Sequence, residues 1–265
     1  PTTMTRLGLL QEKLLMPYSI RKADKVLAIS KFTASEILSE FPEARKKIVL
    51  VEGAASISAN SIPSTNTDTL KGKYFLFVGT MEPRKNLNAL ISAYQVYVEG
   101  VISKNATEAF DHDGSRVEVL PLKIVGGEGW GRVNLQSLID RCGLDGVVEI
   151  VGPVEDEQLA ELYRGAHALL MPSLYEGFGL PVVEAMQCGI PVIVSENTSL
   201  VEVAGSGGLR VNPYDIVSIT SAIQSMAENH ILRAELAINA LTEAARYSWD
   251  RSAETVESLV CPIRK

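Results

Sequence analysis

The sequence predicts an α/β protein built on a doubly wound parallel sheet. Three observations lead there. Short apolar runs alternate with helix-length stretches from Tyr74 to the C-terminal end. Several runs close on a glycine that opens toward the next helix, as at Val78-Gly79 and Val125-Gly126. The composition, 46% hydrophobic and 22% charged over 265 residues, is that of a globular chain able to bury a sheet on both faces.

In order, residues 7–20 read as an amphipathic helix ended or kinked near Pro17. Lys25–Ile29 reads as a short buried strand, Ser30 as an N-cap, the following SKFTASEILSEF as a helix, and 47–51 as a second strand. Residues 56–72 are rich in Ser, Thr and Asn, which marks a linker. Strands then fall at Tyr74–Val78, Leu122–Val125, Val147–Val151, Ala168–Met171, Pro191–Ser195 and Gly208–Val211. Helices fall at 86–98, 133–141, 155–165, Leu180–Gln187, 215–228, 231–246 and 249–260, with a polar insertion over 100–116. Strand, helix, strand in sequence is the parallel crossover unit, and ligands of such sheets sit at the carboxyl ends of the strands. The loops to inspect are therefore 79–86, 126–131, 152–154, 172–180 and 195–199.

Charge and cysteines exclude several classes. A formal net charge of −7 argues against a strongly basic nucleic-acid binder. Cys142, Cys188 and Cys261 lie far apart with no CxxC, which speaks against a disulfide framework or a structural zinc site and for reduced thiols in a cytoplasmic protein. No apolar stretch reaches the roughly 18 residues that a membrane-spanning helix needs, and no signal peptide opens the chain. The chain begins at Pro1, so a processed product or a piece of a longer chain is expected.

Three constellations carry chemistry. Gly79-Thr80-Met81-Glu82-Pro83-Arg84-Lys85-Asn86 joins a strand to a helix. Two cations beside a helix N-terminus disfavour the helix by a few tenths to about 1 kcal/mol, and a bound anion such as a diphosphate resolves that conflict. Two solvated surface cations are the plainer alternative. The second, Gly126-Gly127-Glu128-Gly129-Trp130-Gly131, suggests close backbone approach to a ligand or simply a tight turn. It fails the dinucleotide fingerprint because Arg132 stands where the last glycine belongs. The third runs from Pro172 to Ala185 and holds Glu176 in a loop and Glu184 about one turn into a helix opened by Leu180-Pro181. Two carboxylates facing one cleft suit glycoside hydrolysis or hydrogen bonding to sugar hydroxyls.

The motifs GTMEPRKN and PSLYEGFGLPVVEAMQCGIPVIVS, with Glu176 and Glu184 separated by seven residues, resemble the retaining glycosyltransferases of the large family 4. The resemblance extends through SLVEVA and GGLRVNP and back to ADKVLAISKFTASEI, so it covers almost the whole chain. It implies the C-terminal, donor-binding half of a two-Rossmann GT-B fold, preceded by the end of an N-terminal Rossmann-like domain. The implied organisation is an N-terminal (acceptor) domain remnant at 1–55, a linker at 56–72, a donor nucleotide-sugar-binding domain at 73–246, and a helix over 247–265 returning toward the N-terminal domain.

The resemblance also implies roles. Arg84 and Lys85 would hold the donor diphosphate and act with Glu176 in catalysis; Glu176 would contact the donor sugar beside Gly177, Phe178, Gly179 and Leu180. Glu184 would bind the ribose, Pro153 and Val154 would lie beside the base, and Gly79, Thr80, Gly126 and Gly127 would border the nucleotide. Thr80 stands immediately after the strand glycine, where many members carry a cation, and Arg84 is expected to take that cation's place. The expected substrates are a GDP- or UDP-linked sugar, with a lean toward mannose, and a glycan or lipid-linked acceptor. No cofactor or metal is expected, and the implied location is cytoplasmic, at the inner face of the membrane if residues 7–20 touch lipid. The missing N-terminal domain is an expected partner, so an isolated chain should bind donor with little transfer. Rival readings are a non-catalytic nucleotide-sugar-binding subunit of a split enzyme and a GT-B-type epimerase or hydrolase.

Overall fold

A computed structural model describes residues 15–55, 72–106, 118–131 and 134–260. The main sheet has six parallel strands: β3 (Tyr74–Val78), β4 (Leu122–Val125), β5 (Val148–Gly152), β6 (Ala166–Met171), β7 (Val192–Ser195) and β8 (Gly208–Val211), in the order β5-β4-β3-β6-β7-β8. Counted within this sheet alone, that is the doubly wound order 3-2-1-4-5-6, with its switch point between β3 and β6. Alternation along β3 explains why both faces are covered. Phe75 and Phe77 enter the core that holds Leu90, Tyr94 and Tyr97, while Leu76 and Val78 enter the opposite core with Val182, Val183 and Met186.

The helices of the six-stranded unit are α3 (Leu87–Ala106), α4 (Leu135–Arg141), α5 (Asp156–Arg164), α6 (Leu180–Gln187), α7 (Leu200–Ala204), α8 (Ile216–Glu228) and α9 (His230–Ala244). Ahead of them lie a helix over 15–22, here α1, and α2 (Lys31–Glu40). The chain's described part ends in α10 (Trp249–Val260). Strands β1 (Val26–Ala28) and β2 (Ile48–Leu50) pair in parallel as a separate two-stranded sheet.

Several expectations are corrected. Helix α3 runs to Ala106, not 98, because Val101 is buried in the core and Lys104 pairs with Glu228 of α8. The polar insertion therefore starts later, and 107–117 lie outside the described residues. Strand β6 begins at Ala166, two residues early, because Tyr74 of β3 takes Ala166 as its partner. The strand expected to be buried at Lys25–Ile29 is Val26–Ala28 and is only partly covered: Ala28 is buried but Leu27 is 47% exposed. Helix α1 continues past Pro17 to residue 22, while 7–14 and the linker 56–71 lie outside the described residues. Helix α7 had no counterpart among the sequence-based elements.

The loops after β3, β4 and β5 are stitched together. Gly79 N–H donates to Val125 O at 2.9 Å, Gly126 N–H to Gly152 O at 2.9 Å, and Met81 N–H to Gly127 O at 3.0 Å. Gly126 has φ 139°, and a Cβ there would lie 2.2 Å from the Gly79 carbonyl oxygen. Only glycine fits. Gly126→Ala should therefore cost about 2 kcal/mol or more of stability, read as a lower urea midpoint with an unchanged m-value.

Candidate functional site

The switch point places the two informative loops side by side. Loop 79–86 leaves β3 and loop 172–180 leaves β6, and these are neighbouring strands. The cations do not stand on a helix N-terminus, as the sequence suggested. Arg84 and Lys85 occupy a 3-10 turn, Pro83–Lys85, and Asn86 follows in the left-handed region at φ 60° before α3 begins. The charge conflict is met by carboxylates. Glu176 accepts from Arg84 Nη1 at 2.6 Å through one oxygen and from Lys85 Nζ at 2.6 Å through the other. Arg84 Nε also reaches Glu82 at 2.6 Å, and Glu82 accepts from the Trp130 indole at 2.8 Å. Lys85 and Glu176 are each 5% exposed, so this is a buried pair of the kind that is costly to break.

Side chains from four elements fix the loop that carries Glu176. Asn86 donates to Pro172 O at 3.0 Å and to Pro213 O at 2.7 Å, and Ser195 to Ser173 O at 2.6 Å. Arg84 Nη1 reaches Tyr175 O at 3.3 Å. The buried Ser199 hydroxyl lies 2.8 Å from Glu176 O and 3.1 Å from Phe178 O. With these carbonyls taken, the loop enters α6 through Gly179, whose φ of 108° no L side chain readily adopts. Leu180 and Pro181 form the first turn of α6, whose leading N–H groups have no helical partner.

A cleft of about 850 Å³ opens here. Glu82, Arg84, Trp130, Glu176–Leu180, Trp249 and the 51–53 segment line it. Thr80 is exposed beside it in the chain. A second hollow joins Gly126, Gly152 and Pro153 at the ends of β4 and β5. Gly127 is held by the Met81 amide, and Val154 packs against the core below α6.

Glu184 is placed apart from Glu176, outside the lining of the large cleft. It accepts from Tyr163 Oη of α5 at 2.8 Å. Burial raises its carboxyl above the usual carboxylate range, the Tyr163 hydrogen bond works against that rise, and Asp156 adds to it. Burial likewise pushes Tyr163 well up, with Glu184 beside it contributing. The Cys188 thiol is pushed up to about 11, mainly by burial, which keeps it protonated. Cys142 is also free, and Cys261 lies outside the described residues. Among the described residues no group of three His, Cys, Asp or Glu side chains is placed to hold a metal ion, and no helix is long and apolar enough to cross a membrane.

Sequence reasoning missed Glu82, Asn86, Ser195, Ser199 and Trp130 as site-building residues. Asn86 had a signal, since asparagine favours the left-handed region at a turn. The serines had none, because their partners are backbone carbonyls remote in sequence.

A Rossmann-like domain with a cation pair, a buried carboxylate and a helix N-terminus at its switch point is the class of arrangement that the comparisons make particular. The chain belongs to the family described as glycosyl transferases group 1, whose profile matches residues 61–242. It is 34% identical over 241 residues to O-antigen chain mannosyltransferase B of Escherichia coli, which covers 88% of this chain and 59% of that protein. The chain thus spans about three-fifths of that relative's length. In fold it is similar to sucrose-phosphate synthase from Thermosynechococcus elongatus, with a TM-score of 0.75 and 23% identity over 98% of this chain and 63% of that one. Anabaena HepE in complex with UDP and glucose gives a TM-score of 0.73 at 18% identity, over 95% and 66% of the two chains. The fold is that of the GT-B glycosyltransferases, with a parallel six-stranded sheet flanked by helices.

Two outcomes follow from the geometry. Glu176→Gln leaves the buried Lys85 without its carboxylate and should lower stability by about 3 kcal/mol, measured by chemical denaturation. Glu184→Gln removes a carboxyl whose folded value lies above the ordinary 4.5. The folded state holds that proton more tightly, so the wild type loses stability as pH rises from 4.5 through the folded value. The variant should melt above the wild type at pH 7, with that advantage gone at pH 4.

Proposed function

We propose that this chain is the donor-binding part of a retaining hexosyltransferase that uses a nucleotide-diphosphate sugar. The observation that carries the reading is the meeting of Arg84, Lys85 and Glu176 at the switch point: Arg84 and Glu176 line a cleft that the first residues of α6 also line, and Lys85 is buried directly behind Glu176. In this reading the donor diphosphate lies against Arg84 and Lys85, and Arg84 exchanges Glu82 for a phosphate oxygen. Glu176 hydrogen-bonds the sugar, Glu184 the ribose, and the Pro153–Val154 segment flanks the base beside Gly126 and Gly127.

Transfer then breaks the bond between the sugar's anomeric carbon and the leaving phosphate oxygen. The acceptor oxygen forms its bond to that carbon on the same face, and its proton passes to the leaving diphosphate. Arg84 and Lys85 stabilise negative charge that grows on that diphosphate in the transition state. None of these steps draws on a metal. Similarity to mannosyltransferases of O-antigen chains supports mannose as the sugar and a glycan or lipid-linked acceptor.

Calorimetric titration with GDP, UDP, GDP-mannose and UDP-glucose tests the reading. One nucleotide series should bind, and Glu184→Ala and Lys85→Ala should each weaken it at least about tenfold, the loss of one charge-assisted contact. Unchanged affinity in both variants would overturn the site.

A further inference from the structure

The Glu176 loop is held from its far side by a part of the chain that the donor reading does not use. Ser30 Oγ lies 2.7 Å from Gly177 O, and Thr33 Oγ1 donates to the same oxygen at 3.0 Å. Both residues belong to the first turn of α2, where Ser30 also caps the Thr33 amide at 2.9 Å. The N-terminus of α2 is itself gripped by the other unit. Lys31 N–H and Phe32 N–H donate to the two carboxylate oxygens of Glu202, at 3.2 and 3.0 Å. A carboxylate there satisfies two amides that have no helical partner and sits at the positive end of the helix. Phe32 meets Tyr175 edge to face at 5.7 Å, next to Glu176 in the loop. The fit is close, since a Cβ on Gly177 would stand 3.3 Å from Ile29 Cδ1.

These contacts share one direction. Apart from the Ser30–Thr33 cap, each runs from the segment that carries β1 and α2 to the loop 175–177 or to α7. The Gly177 carbonyl faces α2, while the preceding Glu176 side chain faces Arg84 and Lys85. We propose that Ser30, Thr33 and Glu202 form a clasp that sets the position of Glu176. The segment bearing α2 would thereby control the catalytic geometry without touching the nucleotide. They are positioning residues, and the inference rests on the donor-site reading for its effect on turnover. Its effect on the loop stands independently of that reading. When the clasp opens, Glu176 loses its outer support while the phosphate-binding cations keep theirs.

The test uses the whole protein and three variants: Ser30→Gly with Thr33→Val, which removes both hydroxyls at a cap position where glycine is tolerated; Thr33→Ser, which keeps the hydroxyl; and Glu202→Ala. Hydrogen exchange over 174–180, affinity for GDP and UDP, and release of nucleoside diphosphate from GDP-mannose or UDP-glucose are measured in each. The double variant and Glu202→Ala should exchange at least about tenfold faster in that loop. Their kcat should drop about 10- to 100-fold, the scale of a 1 Å misplacement, with nucleotide affinity changed less than about twofold by the scale of a lost neutral hydrogen bond away from the ligand. Thr33→Ser should match the wild type in all three measurements. Wild-type exchange in the double variant would overturn the clasp. So would nucleotide affinity falling in step with kcat, because that marks a general loss of structure. A wild-type protein that binds and turns over no nucleotide sugar defeats the donor reading, and the exchange measurement still decides the clasp.

Discussion

Glu176 is the constraint on which the rest of the site depends. Its carboxylate is buried and joins two cations that would otherwise repel at 2.6 Å from a common partner. Burying such a group is unfavourable unless each oxygen is satisfied and the geometry is held. The fold supplies that hold. β3 and β6 are adjacent, so their exit loops meet, and side-chain donors from α3's approach, β7 and α7 fix the carbonyls of the loop. The arrangement is already charge-balanced: Glu82 and Glu176 face Arg84 and Lys85. In the proposed donor site a diphosphate would have to exchange carboxylate contacts for phosphate contacts, so bare charge attraction would not be what selects it.

The two glutamates singled out by their spacing live in different environments. Glu176 is paired with cations, whereas Glu184 leans on a single phenol in a site whose burial resists ionisation. A hydroxyl donor from a bound ribose would lower that cost, because hydrogen bonds to the charged form favour it. Glu176 lines the large cleft and Glu184 does not, so the two carboxylates do not flank one bond as direct glycoside hydrolysis requires.

Much of the fold was legible because periodicity and burial agree. Tyr74–Val78 is apolar at every position, and a strand covered on both faces demands that. The ends of α3 and β6 were misread for one reason: polar or small residues such as Lys104, Ala166 and His167 are kept in their elements by tertiary partners. Within the site, the charged residues could be read because burying charge is rare. Ser199, Ser195 and Thr33 could not, since a hydroxyl aimed at a distant carbonyl leaves no periodic trace. The 3-10 turn under Arg84 and Lys85 was hidden too, although Pro83 and Asn86 each favour one of its ends.

The proposed donor site has a diphosphate on Arg84 and Lys85 and the ribose on Glu184. A crystal structure of the chain with GDP or UDP bound tests it most directly. Phosphate oxygens should lie within hydrogen-bond distance of Arg84 and Lys85, the ribose hydroxyls on Glu184, and the Arg84–Glu82 contact should be opened. A nucleotide bound elsewhere, or one that leaves Glu184 and both cations with their present partners, would contradict it.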